Sequence, residues 1–143
     1  MKKVDHMKSV IKSFIISGIF YMFIGVLLGG MLSIGKIGVY SETEAGHWLE
    51  VEHIFINNVG FLSFIIMGLV YFVTPLISKK EIYSKDLAKF DFFILNFGLF
   101  LMIFGMAIKG LLFWTFSSAI TMIGGMVLTL GFFIFGYNIL RSF

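Results

Sequence analysis

From Glu52 to Pro75 the chain reads EHIFINNVGFLSFIIMGLVYFVTP, with no Asp, Glu, Lys or Arg after its first residue. A helix of that length spans the roughly 30 Å hydrocarbon core of a bilayer. Lipid offers the backbone no hydrogen bonds, so a segment that crosses it in this way is helical. On a helix His53, Asn57, Gly60, Phe64, Met67 or Gly68, and Tyr71 recur at spacings of three and four and share one stripe. A face turned to lipid has no use for an imidazole, a carboxamide and a glycine in line. The stripe therefore predicts a face turned inward, towards protein or a cofactor. Pro75 and the lysines Lys79 and Lys80 close the span.

The rest of the sequence repeats this constraint. Of 143 residues 59% are hydrophobic and 13% charged, and the charges cluster between long apolar runs. The expected fold is all-α: one integral membrane domain over residues 1–143, a four-helix bundle with spans near 13–35, 52–76, 90–108 and 112–140. Span one carries Ser17, Tyr21, Gly25 and Gly29 at every fourth position, a small-residue seam for a neighbouring helix. Ser84 is a candidate N-cap for span three. Lys109-Gly110 reads as a tight connection to span four. The basic start and the apolar run after it look superficially like a secretory signal, but no small-x-small cleavage site follows, so a retained helix is expected.

Charge then orients the bundle. Lys2, Lys3, Lys8 and Lys12 fill the N-terminal arm, and Lys79, Lys80, Lys85 and Lys89 fill the second loop and the start of the next helix. The first loop holds Glu42, Glu44 and Glu50, with Tyr40 and Trp48 as interface anchors. The excess of lysine near cytoplasmic ends predicts N- and C-termini in the cytoplasm, with His53 near the outer surface. These lysines are explained by topology, so no nucleic-acid partner is expected.

Little chemistry is available. With no cysteine, thiolate ligands and disulfides are excluded. Of three histidines, His6 lies in the basic arm, His47 in the outer loop and His53 at a span. His47 and His53, six residues apart, do not share a helical face, and no acid completes a zinc set. There is no Walker loop and no nucleophile elbow. Asp91 is expected at the cytoplasmic boundary, which leaves a proton or ion transporter without intramembrane acids. His53 has two readings on position alone: an interfacial histidine hydrogen-bonded to headgroups or to Glu52, or a haem ligand.

The segments HIFINNVGF, IMGLVYFVTP and YSKDLAKFDFFILNFG, spread from His53 to Gly98, resemble the second and third helices of haem-copper oxidase subunit I. They resemble in particular small four-helix homologues of the C-type oxidase and nitric-oxide-reductase branch. Those relatives read His-x-His-x-Asn-x-x-Gly-Phe and Tyr-x-x-x-Pro, then Ser-x-x-Leu-Ala and Asn-x-Gly. Here His53, Asn57, Gly60, Phe61, Tyr71, Pro75, Ser84, Leu87, Ala88, Asn96 and Gly98 match, while Phe55 stands where relatives often carry a second histidine.

The resemblance implies that His53 is an axial ligand of haem b, with Asn57 beside it and Gly60 admitting the macrocycle. Lys36 and Lys109 lie at the level of the propionates. The second ligand is open: His53 of a second copy, His47, Met31 or Met106. The later helices that hold the oxidase's copper ligands have no counterpart, so the chain alone is not an oxygen reductase. The implied protein is a multi-pass inner-membrane protein of the respiratory chain that transfers electrons, as a homodimer or within a larger respiratory complex. The alternative is a haem-free structural or assembly subunit. The orientation is testable directly: a reporter fused after Phe143 should be active only in the cytoplasm, and its export would reverse the topology.

Overall fold

The computed structural model describes residues 2–34, 43–112 and 116–143, with the backbone alone for 2–6, 44, 45, 111 and 112. Among the described residues there are five α-helices and one π-helical segment: α1 (Lys2–Ser33), α2 (Glu44–Phe55), the π-helix (Ile56–Ser63), α3 (Phe64–Ser78), α4 (Lys85–Leu112) and α5 (Ser117–Leu140). α2, the π-helix and α3 run on as one rod. Among the described residues four helical stretches are long and apolar enough to cross a membrane: Met7–Ser33, Gly46–Ser78, Lys85–Gly110 and Ser117–Leu140. The all-α, four-helix bundle expected from the sequence is therefore present.

Three boundaries differ from expectation. α1 starts at Lys2, so the basic arm is helix. The second span extends upstream to Gly46, because Thr43 caps α2 by accepting from the Gly46 amide at 3.1 Å. Lys109 and Gly110 lie inside α4, and the next helix begins only at Ser117. Lys109 can stay helical because its ammonium sits 4.0 Å over the Trp48 ring and reaches the Ser118 hydroxyl at 3.4 Å. Ser84 does cap α4, accepting from the Leu87 amide at 3.1 Å.

Packing follows the small residues. α1 lies on the second span, and α4 pairs most extensively with α5. At the α4–α5 contact the backbones nearly touch. A Cβ on Gly98 would meet the Leu128 amide nitrogen at 2.6 Å, and one on Gly124 would meet that of Met102 at 2.6 Å. Gly131 makes room for Leu95, and Gly105 for Thr121. The core where the two pairs meet is Phe14, Phe64, Tyr71, Leu95, Leu99 and Leu128. Phe20, Phe23, Phe93, Phe97, Phe100 and Phe133 point outward, as lipid-facing rings do. Met7, Ile82 and Ala88 join the same core from the lysine-rich segments, and Lys80 Nζ contacts the Phe143 carbonyl, so both termini and the second loop share one end of the bundle.

The π-helix changes the stripe read from the sequence. Its turns are wider than 3.6 residues, which keeps Glu52, Ile56, Gly60 and Phe64, spaced by four, in line on the buried side. His53 and Asn57 roll to the flank, against α1. The carboxamides of Asn57 and Asn58 donate to the carbonyls of His53 and Ile54 at 2.9 and 3.0 Å, and the Ser63 hydroxyl donates to the Asn58 carbonyl at 2.9 Å. These side chains satisfy carbonyls in the region where the α-helical ladder is interrupted.

The glycine contacts separate two kinds of position. Gly98→Ala must push backbone away from backbone and should cost roughly 1–3 kcal/mol of stability. A Cβ placed on Gly136 would meet nothing within 4 Å, so Gly136→Ala should be neutral. Thermal melts of both variants in detergent check this pair; equal melting temperatures would show that the α4–α5 seam does not hold the bundle.

Candidate functional site

His53 sits in the seam of α1. Its Nδ1 lies 2.9 Å from the Gly25 carbonyl oxygen. Its Cε1 would be 2.5 Å from a Cβ on Gly29, and the Asn57 carboxamide would be equally close to one on Gly25. Gly25 and Gly29 thus form a notch, one turn apart, that receives the two polar side chains of the second span. The spacing of four in α1 meets the spacing of four between His53 and Asn57, which is why the sequence places both pairs in register.

The hydrogen bond fixes the tautomer. A carbonyl can only accept, so the Gly25 contact puts the ring proton on Nδ1. The Asn57 nitrogen is 3.2 Å from the same Nδ1, and with Nδ1 protonated that approach is packing; the Asn57 amide donates instead to the His53 carbonyl. Nε2 keeps its lone pair and has no hydrogen-bond partner among the described residues. A ring held through Nδ1 to a backbone carbonyl, with Nε2 free, is the arrangement that metal-binding imidazoles use.

The other expected site residues do not converge on it. The space at Gly60, expected to admit a macrocycle, is filled by the Tyr21 ring, at 2.8 Å from a Cβ built there, and by Leu99. Tyr21 is fixed in that place by donating to Asn96 Oδ1 at 3.0 Å. Lys109 is engaged with Trp48 and Ser118, and Lys36 lies outside the described residues. His47 is exposed and packs edge-on against Trp48, with centroids 5.9 Å apart. Met31 is 53% exposed, and Met106 is buried at 2%. No three metal-ligating His, Asp or Glu side chains cluster among the described residues. Among the described residues, then, the expected site residues bring together His53, held through Nδ1, and Asn57, with the space at Gly60 taken by Tyr21 and Leu99.

A second polar site escapes the sequence reading. Asp91, expected at the cytoplasmic boundary, is completely buried within the bundle, and Glu52 is 6% exposed. Tyr71 donates to Asp91 Oδ2 at 3.1 Å, and the Asn138 amide approaches the Tyr71 hydroxyl at 3.4 Å. Asn138 also binds both backbone groups of Ser84, accepting from its amide at 3.0 Å and donating to its carbonyl at 2.9 Å. Ser142 completes the cluster, donating to the Asn138 carbonyl at 2.7 Å and accepting from the Tyr83 amide at 2.9 Å. This network ties α3, α4 and α5 to the second loop. Asp91 Oδ1 and Glu52 Oε2 lack hydrogen-bond partners among the described residues. The signal was present as one tyrosine, one acid and one asparagine in three apolar spans, but only the tertiary fold brings them together.

No protein-family model matches this sequence, and no curated protein matches it.

Proposed function

We propose that the chain is a haem b-binding membrane protein of the respiratory chain, resembling oxidase subunit I, with His53 Nε2 as an axial ligand. The supporting observation is the Nδ1 hydrogen bond to the Gly25 carbonyl, which orients the ring and leaves Nε2 as its only free lone pair. The axial donor fits such a group. A macrocycle between α1 and the second span does not, because His53, Asn57 and Tyr21 fill the glycine notches.

The reading therefore requires an assembly, in which the group is held between this chain and a second subunit. Two copies offering one His53 each are the simplest case, and His47 and Met31, being exposed, are the other candidates for a second ligand. Bound haem b would supply one-electron transfer. The residues of this chain hold and orient the ligand: Gly25 binds Nδ1, Gly29 admits the ring edge, and Asn57 closes the seam beneath it. The inner membrane is the corresponding location.

The same filled notches favour a second reading, a haem-free structural or assembly subunit. On that reading His53 is a packing residue whose polar edge is satisfied by Gly25.

An absorption spectrum of protein purified from haem-replete cells separates the two. The haem reading expects a low-spin Soret band at one haem per two chains if His53 is shared, or one per chain if His47 or Met31 completes the site. His53→Gln removes the imidazole and should abolish the low-spin spectrum, whereas His6→Ala should not. A wild-type protein without a Soret band would support the haem-free reading, and a His53→Gln variant with the wild-type low-spin spectrum would remove His53 as the axial ligand.

A further inference from the structure

At the lysine-rich end, α1 and α4 enclose a cleft of about 180 Å³ lined by Ser9, Val10, Ser13, Lys89, Phe92 and Phe93. Ser9 and Ser13 lie one turn apart on α1. Among the described residues neither hydroxyl has a hydrogen-bond partner. Lys89 has one weak contact, Asp86 Oδ1 at 3.6 Å, and that aspartate is almost fully solvated, so the pair is screened and contributes little. Two hydroxyls and an ammonium thus share a cleft whose other walls are Val10 and two phenylalanines.

Depth in the membrane narrows the ligand. Ser9 and Ser13 belong to the first two turns of the span Met7–Ser33, and Lys89 to the second turn of the span Lys85–Gly110. That is headgroup level. Above the cleft are donors and positive charge; beside it Phe93 is among the most exposed rings of the lipid-facing surface. Lys12, between the two serines on α1, and Lys8 and Lys85 add to the local positive potential. A neighbouring cleft of about 210 Å³ holds Lys8 and Lys85 but also Glu81, which pairs with Lys85 at 2.8 Å. An acid therefore stands in that cleft, whereas none lines the Ser9–Ser13–Lys89 cleft.

We propose that the Ser9–Ser13–Lys89 cleft binds the headgroup of an anionic phospholipid. The phosphodiester oxygens accept from the two hydroxyls and from Lys89, and the acyl chains follow Val10 and Phe93 into the bilayer. Nothing in this depends on haem.

The test is thermal stability of the full chain in detergent, titrated with phosphatidylglycerol or phosphatidylcholine, alongside native mass spectrometry of the wild-type protein. Phosphatidylglycerol should raise the melting temperature at lower mole fraction than phosphatidylcholine, and one molecule of it should stay bound in the spectrometer. Lys89→Gln should weaken the effect about fivefold, the size expected for one lysine at an anionic surface. Ser9→Ala with Ser13→Ala should weaken it as well, whereas Lys89→Arg and Lys79→Gln should keep it. Equal response to both lipids, retention of the effect in Lys89→Gln, or no retained phosphatidylglycerol on the wild-type protein would overturn the proposal. So would inorganic phosphate reproducing the shift, which would mark a free-phosphate site instead.

Discussion

Close backbone approach at glycine is the constraint on which this bundle depends. Lipid tails are as apolar as leucine, so helices in a bilayer gain little from hiding hydrophobic surface and must gain from contact. Gly98 and Gly124 let α4 and α5 meet main chain to main chain, and Gly131 and Gly105 extend the seam in both directions. On the other side of the bundle Gly25 and Gly29 serve a different purpose. They open α1 to polar side chains, and so decide where His53 goes.

Polar groups then fix the register that small residues allow. Tyr21 with Asn96 links α1 to α4, Tyr71 with Asp91 links α3 to α4, and Asn138 holds the second loop against α5. Each bond lies where water is scarce, so an unpaired partner would be costly. The π-helix obeys the same demand that polar groups be satisfied. Widened turns let Glu52, Ile56, Gly60 and Phe64 stay on the buried face while His53 and Asn57 reach sideways into the α1 notch. The histidine's position is thus a product of two features on different helices, neither sufficient alone.

Much of this was legible in the sequence, for a physical reason: a bilayer admits few backbone structures, and long apolar runs announce them. The four spans, the Ser84 cap, the Gly25–Gly29 seam and the inward polarity of His53 and Asn57 all follow from composition and spacing. Helix ends were less legible: Lys109 reads as a connection, yet it stays helical with its ammonium over Trp48. The π-helix was hidden, since a stripe drawn at 3.6 residues assumes the turn it replaces. The burial of Asp91 was not legible, because its partner Tyr71 lies on another span. Gly60 shows the limit of the resemblance-based site: a missing side chain signals close approach, but not whether a porphyrin or Tyr21 makes it.

An imidazole locked through Nδ1 to the Gly25 carbonyl and offering Nε2 is the centre of this molecule. Whatever occupies that nitrogen, a haem shared between subunits or nothing, the lock itself belongs to this chain. Nitrogen NMR of histidine-labelled protein, purified without added haem and assigned by the loss of signal in His53→Gln, reads the tautomer directly. The expected result is a His53 ring protonated at Nδ1 with an unprotonated Nε2. A proton on Nε2, or rapid exchange between the two nitrogens, would contradict it.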